Sequence, residues 1–127
     1  MQGIGKAFFT SALVYGVLGM LLGLEMAMRK DHGQMPTHAH IMVIGWLSFA
    51  VFGLFYSVYG SAVPKLLALV HLWLAQISFA VLVVGLYLIY RGKTQFDPLA
   101  AIGSMAYAVS FLVFAAGAVS AMRAKPA

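Results

Sequence analysis

The stretch Thr37-His38-Ala39-His40-Ile41-Met42-Val43-Ile44-Gly45-Trp46 continues through Leu47-Ser48-Phe49-Ala50-Val51-Phe52-Gly53-Leu54-Phe55-Tyr56 to Gly60 without a lysine, arginine or carboxylate. A helix needs about 20 predominantly apolar residues to cross about 30 Å of hydrocarbon, and this run is long enough. Its only ionisable groups other than tyrosine are two histidines, both at its start. Three further runs have the same character, from about Ala7 to Met28, Pro64 to Tyr90 and Asp97 to Met122. The expected fold is therefore an all-α membrane protein. It has four transmembrane helices, spanning about 7–28, 37–60, 64–90 and 97–122, in one up-down bundle over residues 1–127.

Bulk composition agrees. Of 127 residues, 63% are hydrophobic and 9% charged, with a mean hydropathy of +0.95. Soluble domains run near 45–50% apolar and about 25% charged, so an ordinary soluble globule is excluded. Disorder, which needs low hydrophobicity and high charge, is excluded as well. The absence of cysteine removes disulfides, thiolate metal sites and covalent c-type haem attachment. No phosphate-cradling loop, nucleophile elbow or paired carboxylates appear, which leaves hydrolase and phosphotransferase chemistry without residues.

The punctuation between runs fits short connections. Arg29-Lys30-Asp31-His32-Gly33-Gln34 is a polar loop, and Pro36-Thr37 opens the second helix with Thr37 as expected N-cap. Pro64 suits the first turn of the third helix, and Asp97 is expected to cap the fourth. The net charge of +5 comes from bases standing in ones and twos at the ends of apolar runs. They are read as anchors to the lipid bilayer, not as a surface for nucleic acid. The first run, with Lys6 before it and no convincing cleavage site, is expected to be a retained helix. Lys6, Lys65, Arg123 and Lys125 fall on the side of the termini, and Arg29, Lys30, Arg91 and Lys93 on the other. The count ties. All three acids, Glu25, Asp31 and Asp97, join the second set, and the termini are expected in the cytoplasm.

Small residues recur at Gly16, Gly19, Gly23, Gly45, Gly53, Gly103 and Gly117, where helices can approach closely, within the chain or between copies of it. Tyr56, Tyr59, Tyr87 and Tyr90 are expected in an interfacial belt, while Trp46 and Trp73 fall deep in their helices. Each Trp either fills the core or lines a large planar ligand.

Ionisable groups inside a membrane span suggest function by default. Residues two apart on an α-helix point about 200° apart. His38 and His40 therefore cannot chelate one ion from a single helix, but each can serve a site on its own flank. His71 lies about 10 Å below the opposite surface and is expected to bond a neighbouring helix, with Gln76 or Ser78 nearby. Glu25 either pairs with Arg29 at i, i+4, or orients a ligating histidine or accepts a proton. Met20, Met26, Met28, Met35 and Met42 cluster towards His32, His38 and His40, and thioether with imidazole suits copper.

The stretch Thr37–Trp46, continuing to Phe52-Gly53-Leu54-Phe55-Tyr56, resembles helix II of the catalytic subunit of haem-copper oxidases and their nitric oxide reductase relatives. In that family a histidine near the start of the helix is an axial haem ligand, and His40 matches it. The family's large subunit has twelve helices in three arcs of four. A His-x-His in one arc serves two different haems, as His38-Ala39-His40 would. The resemblance implies that this chain is one arc and that a homotrimer rebuilds the ring. Haem b would then be ligated by His38 of one copy and His40 of the next, with Trp46, Phe49 and Phe52 lining the pocket. It further implies a bacterial inner membrane and a respiratory-chain electron donor. The family's copper-site histidines and cross-linked tyrosine have no counterpart here, so oxygen or nitric oxide reduction does not follow. Any turnover would be oxidoreductase chemistry of that type, and electron transfer or a haem-based redox role is the class retained. The alternatives are a copper-binding or copper-delivery membrane protein using His32, His38, His40 and the methionines, and a cofactor-free accessory subunit of a respiratory complex.

Overall fold

The computed structural model describes residues 1–124; Lys125, counted above with the terminal side, lies outside them. Among the described residues there is no strand, and four helices are long and apolar enough to cross a membrane. They are α1 (Gly3–Arg29), α2 (Met35–Ala62), α3 (Lys65–Ile89) and α4 (Thr94–Arg123). Each reaches beyond or close to the apolar run that predicted it. In α1, α2 and α4 helical hydrogen bonding continues past the apolar run, while α3 stops one residue short of it at each end.

Turn chemistry sets the boundaries. α1 ends at Lys30, whose left-handed backbone (φ 53°) lets its N–H and that of Asp31 reach back to the carbonyls of Ala27 and Met26. Pro36 sits in the first turn of α2, as expected. Two capping expectations are corrected. Gln34, not Thr37, is the N-cap of α2. Thr37 is fully buried, and its hydroxyl donates to Gln34 Oε1 at 2.7 Å. Asp97 does not cap α4, because a 3-10 turn over Thr94–Phe96 precedes it and draws it into the first α-helical turn. Gln34 Nε2 donates to the Tyr87 carbonyl, tying the α1–α2 loop to the end of α3.

Glycines fix how the helices meet. Along α1 and α2 the partners run Gly5 with Gly53, Gly16 with Trp46, Gly19 with Ile41 and Gly23 with His38, an antiparallel register. Along α3 and α4, Gly85 meets Ala100 and Gly103 meets Leu82, again antiparallel. The glycine faces are thus used inside the chain. The two hairpins join through aromatic rings. Phe8 of α1, Phe49, Phe52 and Tyr56 of α2, Phe79 of α3 and Phe114 of α4 interlock with centroids 4.6–5.7 Å apart. The outward faces carry Leu13, Val17, Val43, Leu47, Leu66, Ile77 and Leu112, a surface suited to hydrocarbon.

One segment departs from α geometry. Ile41–Ser48 is π-helical, with the Phe49 N–H bonded to the Ile44 carbonyl five residues back. The Ser48 hydroxyl likewise donates to Val43 O, also five back. Such i→i+5 segments are rare and are frequent at functional sites. This one directly follows the histidine pair.

Candidate functional site

His38 and His40 leave α2 on different sides, as the i, i+2 spacing requires. His38 turns onto α1. A Cβ on Gly23 would come within 2.9 Å of its Cε1, so only glycine admits the ring there. The bare α1 backbone then lets His38 Nδ1 reach the Gly19 carbonyl at 2.8 Å. His40 Nδ1 reaches the carbonyl of Pro36, one turn back on its own helix, at 2.7 Å.

Both acceptors are carbonyls, which cannot donate, so each Nδ1 carries a proton and, in the neutral ring, each Nε2 keeps its lone pair. This is the tautomer in which a neutral imidazole ligates a metal through Nε2, with the other nitrogen held by a hydrogen bond that fixes the ring. The orienting acceptors are backbone groups. Glu25 plays no such part. It pairs with Arg29 Nε at 3.2 Å, with both side chains largely exposed, and such a pair contributes little.

The other predicted site residues divide. Trp46 stays on the His38 flank. His38, Met42 and Trp46 succeed one another along the face of α2 that meets α1, against Gly23, Gly19 and Gly16. Trp46 and Met42 line an apolar groove of about 210 Å³ with Leu13, Val17 and Met20. Phe49 and Phe52 point instead into the core, 0% and 2% exposed. On an unbroken α-helix Phe49 would lie within about 20° of the direction of His38. The intervening π segment advances more slowly around the axis and turns both phenylalanines inward. His32 is exposed in the loop. Among the described residues no three His, Asp or Glu side chains form a group that could hold a metal ion, so His32, His38 and His40 are not gathered into one set within the chain.

The core holds a polar pair that sequence reasoning divided wrongly. Tyr56, expected at the interface, is buried, and its hydroxyl is hydrogen-bonded to Nδ1 of the fully buried His71 at 2.9 Å. His71 thus bonds a neighbouring helix, as expected, but through Tyr56. Gln76 donates to Ser11 and Ser78 to its own helix. Rings of Phe8, Phe52 and Phe114 surround the imidazole at 4.6–5.1 Å, and its Nε2 has no hydrogen-bond partner. The signal available in sequence was that Tyr56 and His71 flank the α2–α3 turn at similar depth. Trp73 also departs from the core reading, with 62% of its surface exposed on the outer face of α3.

Replacing Tyr56 by Phe leaves both nitrogens of a buried imidazole without partners. Tyr56→Phe is expected to destabilise the fold by about 1–3 kcal/mol, read as a lower unfolding midpoint in detergent. An unchanged midpoint would show that the hydrogen bond contributes nothing.

None of the protein-family models, curated proteins or solved structures compared with the chain matches it.

Proposed function

We propose that the chain is an integral membrane protein that binds haem b through His38 and His40 and serves electron transfer or a related haem-based redox role. The observation that carries this reading is the shared state of the two histidines. Each Nδ1–H is committed to a backbone carbonyl and each Nε2 lone pair is left for a ligand. Because the rings leave opposite flanks of α2, one chain offers two half-sites. A bis-histidine site needs His38 from one copy and His40 from a neighbour, and three copies close such a ring. The resemblance of Thr37–Tyr56 to helix II of the haem-copper oxidases supports the same reading.

Haem b would supply reversible one-electron chemistry. The protein would fix both imidazoles through Gly19 and Pro36 and offer the apolar groove of Trp46, Met42 and Leu13 beside His38. Phe49 and Phe52 would support α2 from within. The reading includes a bacterial inner membrane, cytoplasmic termini and a respiratory electron donor.

The adjacency of Met42 to His38 on the glycine face of α1 favours a second reading, a copper site with thioether and imidazole donors. Metal analysis and a reduced-minus-oxidised spectrum of the detergent-purified protein decide. One iron per chain with a low-spin b-type spectrum is expected. Copper without haem absorbance would establish the second reading, and neither metal would leave an accessory subunit.

Gly23→Val tests the same site without removing a ligand. Its side chain occupies the space of the His38 ring. Haem affinity is expected to fall by about 10-fold or more, as for lost orienting contacts, with the helical content unchanged. Full haem occupancy in this variant would exclude the observed His38 position as the ligating one.

A further inference from the structure

At the end of the bundle that holds the termini, a cavity of about 320 Å³ opens between the starts of α1 and α3. It stands roughly 24 Å along α2 from His40, so it is no part of the histidine site. Its walls are apolar, with Ile4, Val63 and Leu69 among them. Its polar side chains are Gln2, Lys65 and Tyr56. Lys65 is its one charge, and it is exposed.

The charge pattern around this cavity has a single sign. Lys6, Lys65 and Arg123 stand at this end, whereas Glu25, Asp31 and Asp97 all belong to the other. Lys65 therefore has no carboxylate side chain beside it, and it forms no ion pair among the described residues. Tyr56 lines the cavity at its inner end, with its hydroxyl engaged by His71 behind it. A hollow with an ammonium at its rim, a phenol at its base and apolar sides complements an amphiphile with an anionic head.

We propose that this cavity binds the phosphate headgroup of an anionic phospholipid. Lys65 and the Gln2 amide donate to the phosphate, and the glycerol and first acyl carbons lie over Ile4, Val63 and Leu69. The helix-end position selects a phospholipid over a free anion, because the headgroup layer of the bilayer lies at this depth and the cavity's sides need an apolar occupant. The assignment rests on the membrane reading of the four helices and is independent of haem.

The test uses the full chain purified in neutral detergent and analysed by native mass spectrometry. Phosphatidylglycerol, phosphatidylcholine or oleate is added in turn. One phosphatidylglycerol per chain is expected to survive in preference to phosphatidylcholine. Lys65→Gln is expected to weaken that retention roughly fivefold, the weight of one basic residue at an anionic surface. Lys93→Gln, at the opposite end, is expected to leave it unchanged. Equal retention of the two phospholipids, an unaffected Lys65→Gln, or an equal loss in Lys93→Gln would overturn the site. Retention of oleate but not phosphatidylglycerol would overturn the phospholipid assignment in favour of a carboxylate. None of these readouts involves haem absorbance, so their failure is distinct from failure of the haem reading.

Discussion

His38→Ala and His40→Ala are each expected to abolish the low-spin haem spectrum completely, while circular dichroism shows the helices intact. Neither substitution disturbs packing much. His38 lies against Gly23 at the edge of α1, and His40 is held only by its own helix. On the proposed haem reading the loss would be all-or-none, because holding the group between two histidines would need both lone pairs. Co-expression sharpens the test. If each site takes His38 from one copy and His40 from the next, the two inactive variants complement one another in mixed assemblies. Random assortment then restores about a quarter of the sites. Ligation of both histidines from one chain predicts no restoration. Retention of the full spectrum in either single variant would remove that histidine from the ligand set.

Gly103→Val is expected to have the largest effect on stability. At this crossing of α3 and α4 a Cβ on Gly103 would meet the backbone nitrogen of Leu82 at 2.6 Å and its Cα at 2.8 Å. Overpacking a core costs about 1–3 kcal/mol when side chains can move aside. Here the obstacle is main chain, so the helices themselves must separate. The separation also opens the Gly85–Ala100 contact one turn away. A loss above about 3 kcal/mol is expected, measured as the unfolding midpoint in mixed micelles. Gly60→Ala is the control. Its nearest neighbour would be Tyr56 Cβ at 3.8 Å, and an effect within about 0.5 kcal/mol is expected. Equal effects of the two would show that close approach at Gly103 does not hold the hairpin together.

Hydropathy made the helices legible because each one presents apolar side chains both to its neighbours and outward. The exposed Leu47 and the buried Phe49 look alike on such a scale. For the same reason sequence could not say which residues face inward, and Tyr56 and Trp73 exchanged their expected places. A tyrosine near a helix end reads as interfacial, but a hydroxyl with a buried imidazole within reach is satisfied inside. The opposed directions of His38 and His40 were legible from two residues of spacing. Their acceptors were not. A carbonyl appears in no sequence pattern, and the access of His38 to Gly19 depends on the antiparallel register of α1 and α2. The glycine at 23 was visible, but its partner emerged only from that register. Phe49 and Phe52 were grouped with the histidines through the family resemblance, and the π-helical bonds of Ile41–Ser48, invisible in the sequence, precede their turn into the core.

That segment also gives α2 a margin in chain length. Deleting one residue from a uniform α-helix turns everything beyond it by about 100° and draws it in by about 1.5 Å. Such a change would carry His38 away from the Gly19 carbonyl. Within Ile41–Ser48 the same deletion has a local outlet, because an i→i+5 turn can tighten to i→i+4 and absorb the missing residue. The histidine-bearing start of α2 and its core-bearing end are thus joined by a length of helix that can take up a register change between them. Variation in one half need not be copied in the other.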